Sequence, residues 1–151
     1  MILMLALGGL MVAFTMSIQI FFVVLLMRYL SRVIAHRNWE SRDVQFDMVV
    51  ISCVMLLLFF GHIIQISAWA LLFIKLGEFD QFITAVYHSA VNFSSLGYGD
   101  MVMSERWRSL GAIEAGSGVL MFGLSTGVIL SVMNRLFEFR NPNRLAGRQE
   151  G

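Results

Sequence analysis

Charge is scarce in this chain, and its scarcity has a pattern. Only 14% of the 151 residues are Asp, Glu, Lys or Arg, the net charge is +1, and 58% are hydrophobic. That is too apolar for an ordinary soluble domain. Met1 to Met27 holds no charged residue, Met48 to Ile74 holds none, and Ala115 to Asn134 is a third clear run. At ~1.5 Å per residue, each can cross a ~30 Å hydrocarbon core. Cysteine is nearly absent too. Cys53 stands alone inside the second run, so no disulfide can form within one chain and no metal-ligand cluster is present. There is no internal repeat and no low-complexity tract. The arginines are divided between two segments flanking the apolar runs, which offers no basis for nucleic-acid binding. No nucleophile–base pair or metal set points to an enzyme. The first run has no basic residue before it and no small-x-small site after it, so it reads as a span rather than a signal peptide.

A fourth uncharged run, Gln81 to Gly99, differs from the others. It carries His88 and Asn92 and leads into Ser94-Ser95-Leu96-Gly97-Tyr98-Gly99-Asp100, and half of the run cannot be regular helix. Glycine adopts φ > 0 at little steric cost, so Gly97 and Gly99 allow alternation between left- and right-handed backbone. Such alternation turns successive carbonyls to one side. Four copies around an axis would stack rings of oxygen able to replace an ion's hydration shell. Non-helical backbone at membrane depth is tolerated where it lines a water- or ion-filled cavity, so the run is expected to be re-entrant.

Residues from about Asp80 to Asn134 resemble the pore domain of tetrameric potassium channels, which have a pore helix, a filter and an inner helix. The family filter reads T-V-G-Y-G-D, and here the chain reads Ser95-Leu96-Gly97-Tyr98-Gly99-Asp100. The resemblance implies that carbonyls along Ser95, Leu96, Gly97, Tyr98 and Gly99 hold K+, with the Ser95 hydroxyl closing the innermost site. Ser for Thr keeps the hydroxyl but loses a β-methyl that stiffens χ1. Leu for Val replaces a β-branched wedge with a longer, looser one. The implied fold class is an all-α membrane protein: three transmembrane helices, a re-entrant pore helix and filter loop, and a homotetramer. The implied partners are three further copies and the lipid bilayer, with no cofactor, K+ as permeant ion and no reaction catalysed. In the family, two aromatic residues of the pore helix form a cuff, and Tyr87 and His88 stand in their places. Val91 occupies a position from which some members reach the filter Asp with a carboxylate. Asp100 must therefore find another partner or none, and Trp107 is a candidate donor. Met103 replaces a proline often found after the filter.

The expected division is an additional N-terminal helix (1–30), a basic connector (31–45), a pore domain (46–138) and a short tail (139–151). Within the pore domain lie an outer helix (46–76), a pore helix (81–94) capped by Asp80, the filter (95–100) and an inner helix (109–138). Arg28, Arg32, Arg37 and Arg42 flank one end of the first two spans, and Arg135, Arg140, Arg144 and Arg148 follow the last. The positive-inside rule puts both groups in the cytoplasm and the N-terminus outside; the resemblance implies a multi-pass plasma-membrane protein of prokaryotic inner-membrane type. His62 and Gln65 share a helix face and are expected to bond to a neighbouring helix, with proton sensing at His62 as the sharper alternative. Glu105, Arg106 and Arg108 read as a solvated rim. An unpaired Glu114 inside the last span would cost on the order of 3 kcal/mol. It is expected to brace the filter from behind through His88 or Asn92, with an ion-attracting role as the second reading, and Ser94 is a further filter-support residue. Ala112, Gly116, Gly123, Gly127 and Asn134 fall within roughly 60° of arc, either packing helices closely or lining a cavity. Gly116 and Gly118 lie near the family's gating hinge. The competing functions are a nonselective monovalent cation channel and a non-conducting partner subunit. A secondary transporter is disfavoured by the lack of paired repeats.

Overall fold

A computed structural model describes residues 2–35 and 44–140. They form four helices: α1 (Ile2–Ala35), α2 (Val44–Lys75), α3 (Phe82–Phe93) and α4 (Arg108–Arg140). Helices α1, α2 and α4 are each long and apolar enough to cross a membrane. The 12 residues of α3 reach only about 18 Å, too short to cross. No strand occurs among the described residues. Most of the expected connector and tail, with Arg37, Arg42, Arg144 and Arg148, lies outside them.

Two apolar clusters order the three long helices. At one end Leu26 and Leu30 of α1 meet Val54 and Leu58 of α2 and Val128, Val132 and Leu136 of α4. The spacing of four within each set keeps its members on one helix face. At the other end Trp69, Phe73, Phe93, Trp107, Leu110 and Met121 pack together, with Met4, Leu7 and Met11 of α1 against them. The start of α1, the end of α2 and the start of α4 therefore share one end with α3, and neighbouring spans alternate in direction. Leu3, Phe14, Leu56 and Phe59 face outward, as lipid contact requires.

Lipid tails are as apolar as leucine, so burial alone does not hold such helices together; close packing and polar links do. One polar link joins all three spans. Gln65 Nε2 donates to Gln19 Oε1 at 2.6 Å, and Gln19 Nε2 donates to Ser125 Oγ at 3.0 Å. Ser125 Oγ lies 3.1 Å from His62 Nε2. His62 and Gln65 thus bond to neighbouring helices, through partners on α1 and α4. The His62 ring is enclosed by Phe93 and Phe122, at centroid distances of 5.7 and 5.1 Å.

One expectation fails at the start of α3. Gln81, with extended φ −113° and ψ 133°, is the N-cap residue, and no side chain caps the helix. Asp80 sits one residue too early, because capping oxygens act from the N-cap position itself.

Candidate functional site

Helix α3 closes in a way that aims the loop beyond it. Ser95 has φ 59°, and its N–H donates to the Asn92 carbonyl at 2.8 Å, while Leu96 N–H donates to the Val91 carbonyl at 3.0 Å. Those two bonds, nested around a left-handed residue, are a Schellman closure. Gly97 N–H approaches the same Val91 oxygen at 3.5 Å. In a trans peptide plane the carbonyl points opposite to the N–H of the next residue. With the N–H groups of 95 to 97 turned back to the helix, the carbonyls of Ser94, Ser95 and Leu96 point away from it. Gly97 and Gly99 follow with φ 58° and 74°. Positive φ therefore recurs at every second residue. A left-handed serine costs roughly 1–2 kcal/mol, which the closure of α3 offsets. Ser94 Oγ adds bonds to the carbonyls of Ala90 (2.6 Å) and Val91 (3.2 Å), tightening the same helix end.

Three contacts hold this loop. At its far end Tyr87 Oη donates to Asp100 Oδ2 at 2.7 Å, a bond that raises the pKa of the phenol. Tyr87, not Trp107, is thus the donor that Asp100 finds. Trp107 is instead packed in the apolar cluster with Trp69 and Phe73, with the Arg106 guanidinium 5.0 Å from its ring. Behind α3, Glu114 of α4 is fully buried and accepts from Ser89 Oγ, which also lies 2.9 Å from the Ile66 carbonyl of α2. Asn92 lies close enough to Glu114 to act on its carboxyl group, and Asn92 Nδ2 is 2.9 Å from His88 Nε2. Burial pushes the pKa of His88 down, partly opposed by the Met101 main chain and by Asp100 and Glu78. Above the loop, Glu78 accepts from both Ser104 N–H and Ser104 Oγ, each at 2.6 Å, tying the segment before α3 to the one after Asp100.

Residues singled out in the sequence divide into those this arrangement joins and those it sets apart. Tyr87, His88, Asn92, Asp100 and Glu114 surround α3 and its loop, and Val91 supplies a capping carbonyl. Gly118 does not lie open: a β-carbon there would overlap the Phe93 carbonyl oxygen and sit 2.8 Å from its carbon. The helices touch backbone to backbone at that point. Gly116, Gly123 and Gly127 have no atom from beyond their own turn of helix within 4 Å of such a position, so that stripe faces open space. Leu96 and Tyr98 are 57% and 65% exposed. A cavity of about 280 Å³ opens beside the loop, among His88, Asn92, Gly97, Gly99 and Arg108.

Sequence reasoning misses Ser89, Glu78 and Ser104. For Ser89 a signal does exist. It is spaced four from both Ala85 and Phe93, which are fully buried, so it shares their inward face. The Glu78–Ser104 link joins two loops, where no periodicity signals contact.

Chemically, the loop offers main-chain oxygens at the C-terminal, partially negative end of a helix, an arrangement that favours a cation. No group of three His, Cys, Asp or Glu side chains among the described residues could hold a metal. A family model described as ion channel matches residues 49–135. The match takes in most of α2, all of α3 and its loop, and α4 as far as Arg135, and leaves α1 outside. Neither the comparison with curated proteins nor that with solved structures finds a match.

Proposed function

This chain belongs to the ion channel family, and from that premise we propose that it is the subunit of a potassium-selective channel. Four copies close around an axis, because one chain carries one loop and a ring of oxygens needs four. Carbonyls along Ser95, Leu96, Gly97, Tyr98 and Gly99 replace water around a dehydrated K+, and the Ser95 hydroxyl completes the innermost site. Ions then move down their electrochemical gradient, and no bond is made or broken. The observation that carries this reading is the recurrence of positive φ at Ser95, Gly97 and Gly99, directly after the closure of α3. The exposed Leu96 and Tyr98 side chains support assembly, since neighbouring copies would cover them. Arg28 and Arg32 lie at the end of the bundle opposite the loop, which under the positive-inside rule supports a loop that opens outside the cell.

The test is flux from liposomes holding the purified protein under opposed potassium and sodium gradients. Potassium-dependent flux, blocked by barium and abolished in Tyr98→Ala, is expected. Equal sodium flux would favour a nonselective pore, and no flux of either ion would favour a non-conducting subunit.

A further inference from the structure

At the end of the bundle opposite the loop, a groove of about 520 Å³ runs between α1 and α2. Leu25, Cys53 and Leu57 line it with apolar atoms, and Arg28, Tyr29 and Arg32 line its polar part. Arg28 and Arg32 are one turn apart, so both guanidinium groups stand on one helix face. Both also fall within the stretch Ile2–Arg32 that is apolar enough to span a membrane. That stretch has 31 residues, more than a hydrocarbon core needs, so its last turn stands at the interface, where a guanidinium can meet a headgroup. Among the described residues, no carboxylate lines the groove.

We propose that this groove binds one anionic phospholipid, its phosphate held by Arg28 and Arg32 and an acyl chain lying along Leu25 and Leu57. Two arginines one turn apart match a phosphate better than two lysines would, because guanidinium pairs with it through two parallel bonds. Tyr29 is amphipathic and stands at the level where headgroup meets hydrocarbon. The apolar wall distinguishes the site from a free anion site, since inorganic phosphate would leave Leu25 and Leu57 uncovered. The arginines and Tyr29 lie on α1, outside the segment matched to the ion channel family. The proposal does not depend on which ion is conducted.

The experiment is native mass spectrometry of the protein extracted from phosphatidylcholine vesicles with and without phosphatidylglycerol, counting retained lipid. Wild type is expected to retain phosphatidylglycerol in preference to phosphatidylcholine. At about fivefold per arginine, Arg28→Gln with Arg32→Gln should lower that preference about twenty-five-fold. Leu57→Trp, which fills the groove and leaves the charge intact, should also reduce retention. Equal retention of the two lipids by wild type would overturn the proposal. So would an undiminished preference in the double variant, or full retention in Leu57→Trp, which would mean surface attraction without a groove. Exclusion of both lipids would mean that another copy of the chain fills the groove, and would overturn it too.

Discussion

Two buried polar clusters cross this bundle, and they differ in kind. The one around Gln19, Gln65, Ser125 and His62 holds no carboxyl group and draws on every long helix. The one around Glu114, Ser89, Asn92 and His88 is centred on a carboxyl group and built on the short helix. The first fastens α1, a helix outside the family match, to the rest. The second fixes α3, and with it the loop. The contrast teaches that the same chain uses weak, interchangeable links to hold spans together and a costlier buried acid where position matters most.

The comparison is broken most severely at Gly118, where α4 meets the end of α3. Gly118→Ala forces a methyl group into the Phe93 carbonyl, at a cost on the order of 3 kcal/mol. A large drop in the melting temperature of the solubilised protein is expected; an unchanged melt would show that α3 can shift freely. Next comes Glu114→Ala, which strips the second cluster of its centre and should cost about 2–3 kcal/mol. Glu114→Gln keeps the shape and should preserve ion flux while lowering thermal stability. Loss of flux at unchanged stability would instead make Glu114 part of the ion path. The glutamine cluster should be softer. Gln19→Leu and Gln65→Leu, alone and together, should give a coupling of about 0.6–1.7 kcal/mol. A larger coupling than that between Glu114 and Ser89 would reverse the contrast.

Two smaller effects sharpen it. Tyr87→Phe removes one exposed bond to Asp100 and should shorten the conducting lifetime without moving the melting temperature. A falling melt with unaltered conduction would detach that bond from the loop's function. His88 has a pKa lowered by burial, so the folded protein favours its neutral form. The stability it contributes is present above the ordinary value of ~6.5 and is lost as pH falls below it. Thermal melts from about pH 7 to about pH 5, the range over which histidine titrates, should decline more steeply in wild type than in His88→Gln.

Much of the fold is legible in the sequence because the membrane imposes it. Charge-free runs announce α1, α2 and α4, and the polar, glycine-bearing run ending at Gly99 announces a segment that does not cross. The loop's glycines are readable too, but Ser95 is not, since positive φ is uncommon outside glycine. Asp80 has the look of a cap and lies one residue outside that position. Glu114 declares its need for a partner, yet the choice of Ser89 depends on how α3 is rotated against α4. Such rotations are set by packing, at Gly118 above all, and leave no periodic trace. The bond from Tyr87 to Asp100 has the same origin: it joins a helix to the loop that follows, across a turn whose shape only the fold supplies.

The most direct measurement is the reversal potential of the purified protein in a planar bilayer, with potassium on one side and sodium on the other. Main-chain oxygens arranged as a cage for dehydrated K+ predict a reversal potential close to the potassium equilibrium value. A reversal potential near zero, with sodium carrying as much current as potassium, would contradict it.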